Sequence, residues 1–313
     1  MRTTVIAIGG NALVADKDHN SISAQYQACV EMCGHIAPLL RDPDLRLVIT
    51  HGNGPQVGVI LRRSELTSQT LHAVPLDTCV AETQGAIGYQ IQLALRNELR
   101  RLAIDRSVVT LVTLCLVDRA DPAFDRPSKP IGSFMSKEQA ERHRTTEGWD
   151  VAEDAGRGWR RVVASPAPIA ILEIGAVKSL LDAGVVVVAA GGGGVAVIDS
   201  AVGVMTGAAA VIDKDHASSL LARQLRAEQL VISTSIDKAY LDFGKPRQHP
   251  IDSMTVAEAQ RYIAEGHFGP GSMLPKVEAT VAFLKHGGRE AIITDAAHFS
   301  LALAGRAGTH IVP

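Results

Sequence analysis

Three glycine-rich turns, each directly behind an apolar run, constrain the fold of this chain most. Gly9-Gly10-Asn11 follows residues 3–8, His51-Gly52-Asn53-Gly54 follows residues 45–50, and Gly191 to Gly194 follow residues 185–190. A turn without Cβ atoms lets backbone N–H groups approach an anion, and successive N–H groups form a concave nest for phosphate. Three such turns at strand ends that can share one parallel sheet predict a crevice for a highly charged substrate.

Helical and extended patterns alternate along the rest of the chain. Residues 23–40 read as a helix, with Tyr26, Val30, Cys33, Ile36 and Ala37 at helical spacing. Further helices are expected over 56–68, 80–102, 169–183, 215–226 and 274–286, and strands over 108–117, 230–234 and 291–294. The alternation argues for an α/β fold with a mostly parallel sheet. Hydrophobic residues make up 46% of the 313, which excludes general disorder. A net charge of −2, from 31 basic and 33 acidic residues, gives no electrostatic case for nucleic acid or an anionic membrane. No run approaches membrane-spanning length, and the start of the chain lacks a signal peptide's apolar core. A cytoplasmic enzyme is expected. Cys29, Cys33, Cys79 and Cys115 lack zinc-knuckle spacing. They read as buried small residues, with neither a disulfide nor a structural metal expected.

One segment breaks the rhythm. Residues 119–163 are rich in charge, proline and glycine and carry both tryptophans, Trp149 and Trp159. A long insertion in a compact α/β unit is more often a lid than inert padding.

Backbone amides alone do not neutralise a triphosphate, so lysines are needed. Lys129 lies in Pro127-Ser128-Lys129-Pro130-Ile131-Gly132, where two prolines and a glycine fix the backbone. Lys214 stands between Asp213 and Asp215, which are expected to hold it and keep it protonated. Lys276 follows a glycine-rich stretch and opens a helix whose N-terminus favours phosphate. Any one of these is more often a surface charge; three in such frames point to phosphate chemistry. Gly191, Gly193 and Ala196 also match a dinucleotide fingerprint, with Asp213 about twenty residues on. That fingerprint needs a helix opening at the glycines, whereas Val195, Val197 and Ile198 read as extended.

Ile8-Gly9-Gly10-Asn11-Ala12-Leu13, HGNGPQVG (51–58), PSKPIG (127–132), GWRRVVASP (158–166), GGGG (191–194), AVIDKD (210–215) and EGHFGPGSMLPKVEA (265–279) together resemble the carbamate kinase family of the amino acid kinase superfamily. The motifs stand in the family's order and span almost the whole chain. HGNGPQVG with the lysine of PSKPIG is the most specific combination.

The resemblance implies an open three-layer αβα sandwich with a mostly parallel sheet. It also implies a protruding lid at 119–163 on one amino-acid-kinase-type domain, a nucleotide-binding part over 205–313, and a homodimer. The implied reaction is Mg²⁺-dependent, reversible phosphoryl transfer between ATP and carbamate, giving ADP and carbamoyl phosphate. Mg²⁺ comes bound through nucleotide phosphates, with no metal ligands expected on the chain. Lys129, Lys214, Lys276 and Asp215 match the family's catalytic residues. Gly9, Gly10, Asn11, Gly52 and Asn53 match its substrate cradle. Gly191, Gly192, Gly193, Asp213, Tyr240 and Met273 fall on the nucleotide side. Carbamate already carries an oxygen anion, so positioning and charge neutralisation suffice without a general base. An amino-acid substrate would call for an arginine at its α-carboxylate. None stands inside or immediately beside the first two turns, and Arg62 and Arg63 lie on the following helix.

The chain departs from the family pattern at Glu82 and Ala86, where a carboxylate enters and a large side chain is lost, and at Ser128 and Ala196. No lysine is removed. Two other readings stay open from the residues: a non-catalytic nucleotide-binding module of the same fold, and an NAD-dependent dehydrogenase using the 191–196 fingerprint.

Overall fold

The computed structural model describes residues 1–9, 21–154, 158–200 and 202–313. An eight-stranded sheet runs in the order Ser253–Thr255, Thr309–Val312, Glu290–Thr294, Gln229–Ser233, Arg2–Ile8, Leu45–His51, Val186–Val188, Val108–Thr110. Every neighbouring pair is parallel except Thr309–Val312 against Glu290–Thr294.

Alternation along the strands creates the three layers. Val5, Ala7 and Val48 point into one core, where Val177, Leu221 and Val277 come from helices Ile174–Asp182, Lys214–Leu225 and Leu274–Lys285. Ile6, Ile8, Leu47 and Ile49 point into the other, beneath helices Ile22–Ile36 and Leu76–Arg101. Period-two alternation with apolar residues on both faces is what a sheet covered on both sides requires. Cys29 and Cys33 pack in the second core, and all four cysteines are buried, as small apolar residues would be. Burial pushes the Cys29 thiol up to about 12.

Two expected elements differ. The 108–117 run is not one strand: Val108–Thr110 ends the large sheet, and Leu114–Val117 joins a second sheet of Met205–Gly207, Val195–Asp199 and Pro168–Ile171. Thr113 is fully buried at the crossing: its carbonyl accepts the Val195 amide of the second sheet at 2.9 Å and Gln84 Nε2 at 3.0 Å, and its amide donates to Gln84 Oε1 at 2.8 Å. The stretch read as one helix over 169–183 begins instead as strand Pro168–Ile171, and only Ile174–Asp182 is helical. Its β-branched Ile169 and Ile171 complete the open edge of the second sheet.

The inserted segment builds its own antiparallel sheet, Lys129–Met135, Trp159–Val163 and Val151–Glu153, with helix Lys137–Glu147. Ser136 and Gln139 form a capping box at that helix's start, and Gly148 closes its end at φ 69°. Ala140, Trp149 and Val151 give it a small core of its own. Among the described residues, no helix is long and apolar enough to cross a membrane.

Candidate active site

Strands Arg2–Ile8, Leu45–His51 and Val186–Val188 are adjacent and parallel, so Gly9, the 51–54 turn and the 191–194 turn follow them at the carboxyl edge of the sheet. The Gly52 amide donates to the Ile8 carbonyl at 3.1 Å, tying the second turn to the end of the first strand. Gly9 has little room, since a Cβ there would lie 3.3 Å from the Ser233 carbonyl. Gly10 and Asn11 lie outside the described residues. A Cβ on Gly192 would stand 2.0 Å from Asn53 Oδ1, and one on Gly191 would stand 2.3 Å from His51 Nε2. The run Gly191–Gly193 is a short turn with Gly192 at φ 64° and Gly193 at φ 94°. It leads directly into strand Val195–Asp199, so the dinucleotide fingerprint has no helix to open.

The three lysines meet two carboxylates at this edge. Lys129 Nζ donates to Asp213 Oδ2 at 2.6 Å. Lys214 and Lys276 share Asp215, on Oδ1 at 2.5 Å and Oδ2 at 3.0 Å. The three lysines come from different elements: Lys129 from the inserted sheet, Lys214 from the start of helix Lys214–Leu225, which Asp213 caps and Asp215 joins, and Lys276 from the first turn of helix Leu274–Lys285. The expected clamp of Asp213 and Asp215 on Lys214 is therefore only half present. Asp213 Oδ1 accepts the Asp215 and His216 amides as a helix cap, and its other oxygen takes the distant Lys129.

The charges are strongly coupled. Burial alone would raise the Asp215 carboxyl, but the Lys214 and Lys276 ammoniums hold it below the usual carboxylate range. Asp213 is likewise held well down by Lys129 against its own burial. Burial pulls the Lys214 ammonium below the usual lysine range, against the raising effect of Asp215. His51 is buried, and burial lowers its imidazole to about 4, with the Lys214 charge adding to the effect. Its Nδ1 lies 3.0 Å from the Gly52 carbonyl and must donate to it, which leaves the lone pair on Nε2.

Beneath the cradle lies a polar layer that the sequence did not reveal. Thr83 Oγ1 donates to Asn53 Oδ1 at 2.6 Å, and Asn53 Nδ2 reaches the Gly192 carbonyl at 3.4 Å. Among the described residues, the second amide hydrogen of Asn53 meets no hydrogen-bond acceptor. Thr50 and Ser218 join their hydroxyls at 2.6 Å, and Ser218 donates to the Lys214 carbonyl, so the strand end anchors the lysine-bearing turn. Thr83 and Gln84 sit on the face of Leu76–Arg101 that also buries Val80, Ile87 and Ile91, and that placement on a helical wheel was the available signal. The departures Glu82 and Ala86 lie on the exposed face of the same helix, away from Asn53. Met273 precedes Lys276 by one turn, and its carbonyl accepts the Lys276 amide at 3.1 Å. The contacts of Tyr240 run instead to Asp237, at 2.9 Å, and to the Phe243 ring.

Among the described residues, no group of three or more His, Cys, Asp or Glu is placed to hold a metal ion. The arrangement can bind several phosphate oxygens with lysines from three elements and amides from the glycine turns, at the carboxyl ends of parallel strands.

The model for the amino acid kinase family matches residues 2–295, so the chain is of the amino acid kinase class. The carbamate kinase-like protein YahI of Escherichia coli (strain K12) is 47% identical, over 98% of both chains. A carbamate kinase of Thermococcus kodakarensis is 43% identical over 100% of this chain and 99% of its own. The solved carbamate kinase from Giardia lamblia bound to AMP-PNP has a TM-score of 0.91 at 36% identity, covering 99% and 98% of the two chains. Within the class, this chain belongs to the carbamate kinase family.

Proposed function

We propose that the protein is a carbamate kinase, moving a phosphoryl group reversibly between ATP and carbamate with ADP and carbamoyl phosphate as the other pair. The observation that carries this reading is the convergence of Lys129, Lys214 and Lys276 on Asp213 and Asp215 beside the glycine turns. The names of the relatives support it, although that of the 47% identical one stops at carbamate kinase-like.

In this reading, Lys129 faces the transferred phosphoryl group, and Lys214 and Lys276 neutralise the nucleotide phosphates. Asp215 orients those two lysines and Asp213 supports Lys129. Gly9, Gly10, Asn11, Gly52 and Asn53 cradle carbamate, while Gly191, Gly192, Gly193, Tyr240 and Met273 line the nucleotide side. Carbamate supplies its own oxygen nucleophile, so the chain's task is in-line placement and charge neutralisation. Mg²⁺ would arrive with the nucleotide and offset its phosphate charge; both site carboxylates are already paired with lysines. The reading also takes 119–163 as a lid and 205–313 as the nucleotide part of a single domain. A homodimer rests on the family resemblance alone.

The test is a coupled assay for ATP made from ADP and carbamoyl phosphate, run beside glutamate and acetylglutamate as acceptors from ATP. Arg62, on the helix that follows the second turn, pairs with Glu147 at 3.3 Å, so it is already engaged elsewhere. ATP from carbamoyl phosphate and no amino-acid phosphorylation is the expected result. The reverse outcome would leave only the fold.

A further inference from the structure

Outside the lysine cluster, charged and aromatic contacts are densest where the inserted sheet meets helix Gln56–Thr67. Arg161, on strand Trp159–Val163, pairs with Glu65 of that helix. Arg62 lies 3.5 Å from the other Glu65 oxygen, which is buried, and 3.3 Å from Glu147. The guanidinium groups of Arg161 and Arg62 sit 4.7 and 5.5 Å from the centre of the Trp149 ring. His143 stacks on the same ring at 4.2 Å and hydrogen-bonds Glu147 at 2.7 Å. Below this network the two elements touch backbone to backbone, since a Cβ on Gly58 would lie 2.2 Å from Gly132 Cα. Val57, Leu61, Ile131 and Val163 share one apolar cluster at the same joint.

These contacts bear directly on Lys129. In the antiparallel register Lys129 faces Val163 and Ile131 faces Arg161, so Lys129 and Arg161 lie on one side of the ribbon. At its other end, helix Gln56–Thr67 begins just past the Gly52-Asn53-Gly54 turn. We propose that Glu65, Arg161 and Trp149 are positioning residues that make the inserted sheet and helix Gln56–Thr67 one rigid body, holding Lys129 at fixed spacing from the Gly52–Asn53 turn. The inserted sheet is then braced against a helix whose preceding turn, Gly52–Asn53, is itself fastened to Ile8 and Thr83 of the main body. This rests on the carbamate kinase reading for its catalytic consequence, though not for the rigid body itself.

Two measurements test it on the full-length protein. Glu65→Gln should lower kcat for ATP formation about ten- to a hundredfold, the scale of a small misplacement at the reacting centre, with KM for ADP nearly unchanged. In a Lys129→Ala background the same change should cost nothing further, because Glu65 acts through Lys129. Equal losses in both backgrounds, or no loss in the first, would overturn the positioning role. Trp149→Phe, which keeps a ring between the arginines, should retain more activity than Trp149→Ala. Hydrogen exchange gives an arm independent of turnover. Amides of Lys129–Met135 and Gln56–Thr67 should open with one common protection in the wild type and separate in Glu65→Gln. Independent opening in the wild type would sink the rigid body. Absence of carbamoyl phosphate turnover in the wild type would instead count against the proposed activity.

Discussion

Asp215→Asn is the sharpest perturbation of the site, because it keeps the side chain's shape and removes one charge shared by two lysines. Asp215 is 3% exposed and meets Lys214 at 2.5 Å and Lys276 at 3.0 Å. Removing one partner of a buried ion pair costs about 3–5 kcal/mol, since the other charge is left uncompensated. Over 313 residues, an unfolding entropy of about 2.1 cal/mol/K per residue turns this into a fall in Tm of about 5–8 °C. ADP brings replacement anions to the stranded ammoniums, so it should raise the variant's Tm by more than the wild type's. The variant also acquires a pH dependence. Burial already pulls Lys214 down and Asp215 opposes that pull, so without the carboxylate the ammonium loses its proton at lower pH. Turnover should therefore fall on the alkaline side earlier than in the wild type. Calorimetry with and without ADP, together with a pH–rate profile, reads all three effects. A variant melting within about 1 °C of the wild type, equally active at alkaline pH, would refute the shared-carboxylate argument.

Other outcomes follow from the same geometry. Lys129→Ala should lower kcat by about 10²–10³-fold with little change in KM for ADP, measured by steady-state kinetics. Gly192→Ala meets Asn53 at 2.0 Å and a φ of 64°, so a urea titration should show a loss of at least about 1–3 kcal/mol, whereas Gly184→Ala, at φ 79° with open space around it, should pay the backbone cost alone. His51 titrates near 4 in the fold but near 6.5 when unfolded, so the unfolded chain binds the extra proton as pH falls. This group should withdraw about 2 kcal/mol of stability between pH 7 and pH 5, and His51→Asn should flatten that part of the profile in urea unfolding.

The framework of the site was legible because its signals are local. An apolar run ending in glycine marks a strand and its turn, and Thr3, Leu45 and Val185 each opened such a run in the sequence. The chain's partners in space were less legible. Asp213 and Lys214 are neighbours in sequence, yet Asp213 spends one carboxylate oxygen on capping the helix and the other on Lys129, 84 positions away. The break at Thr113 is hidden in the sequence because the 108–117 run is uniformly β-branched or apolar, and the groups that satisfy its backbone, the Gln84 side chain and the Val195 amide, come from other elements. Thr83 and His51 were missed for a related reason. A buried polar side chain looks like any surface one until its partner is known.

The ion pairs around Asp213 and Asp215 also set how the site responds to ionic strength. Three lysine charges face two carboxylate charges, so the ligand-free crevice presents an excess near +1 instead of +3. An arriving phosphate exchanges places with a carboxylate more than it meets a bare cation. Added salt should then weaken nucleotide capture less steeply than the number of lysines suggests, with part of the selectivity residing in how readily each carboxylate lets go.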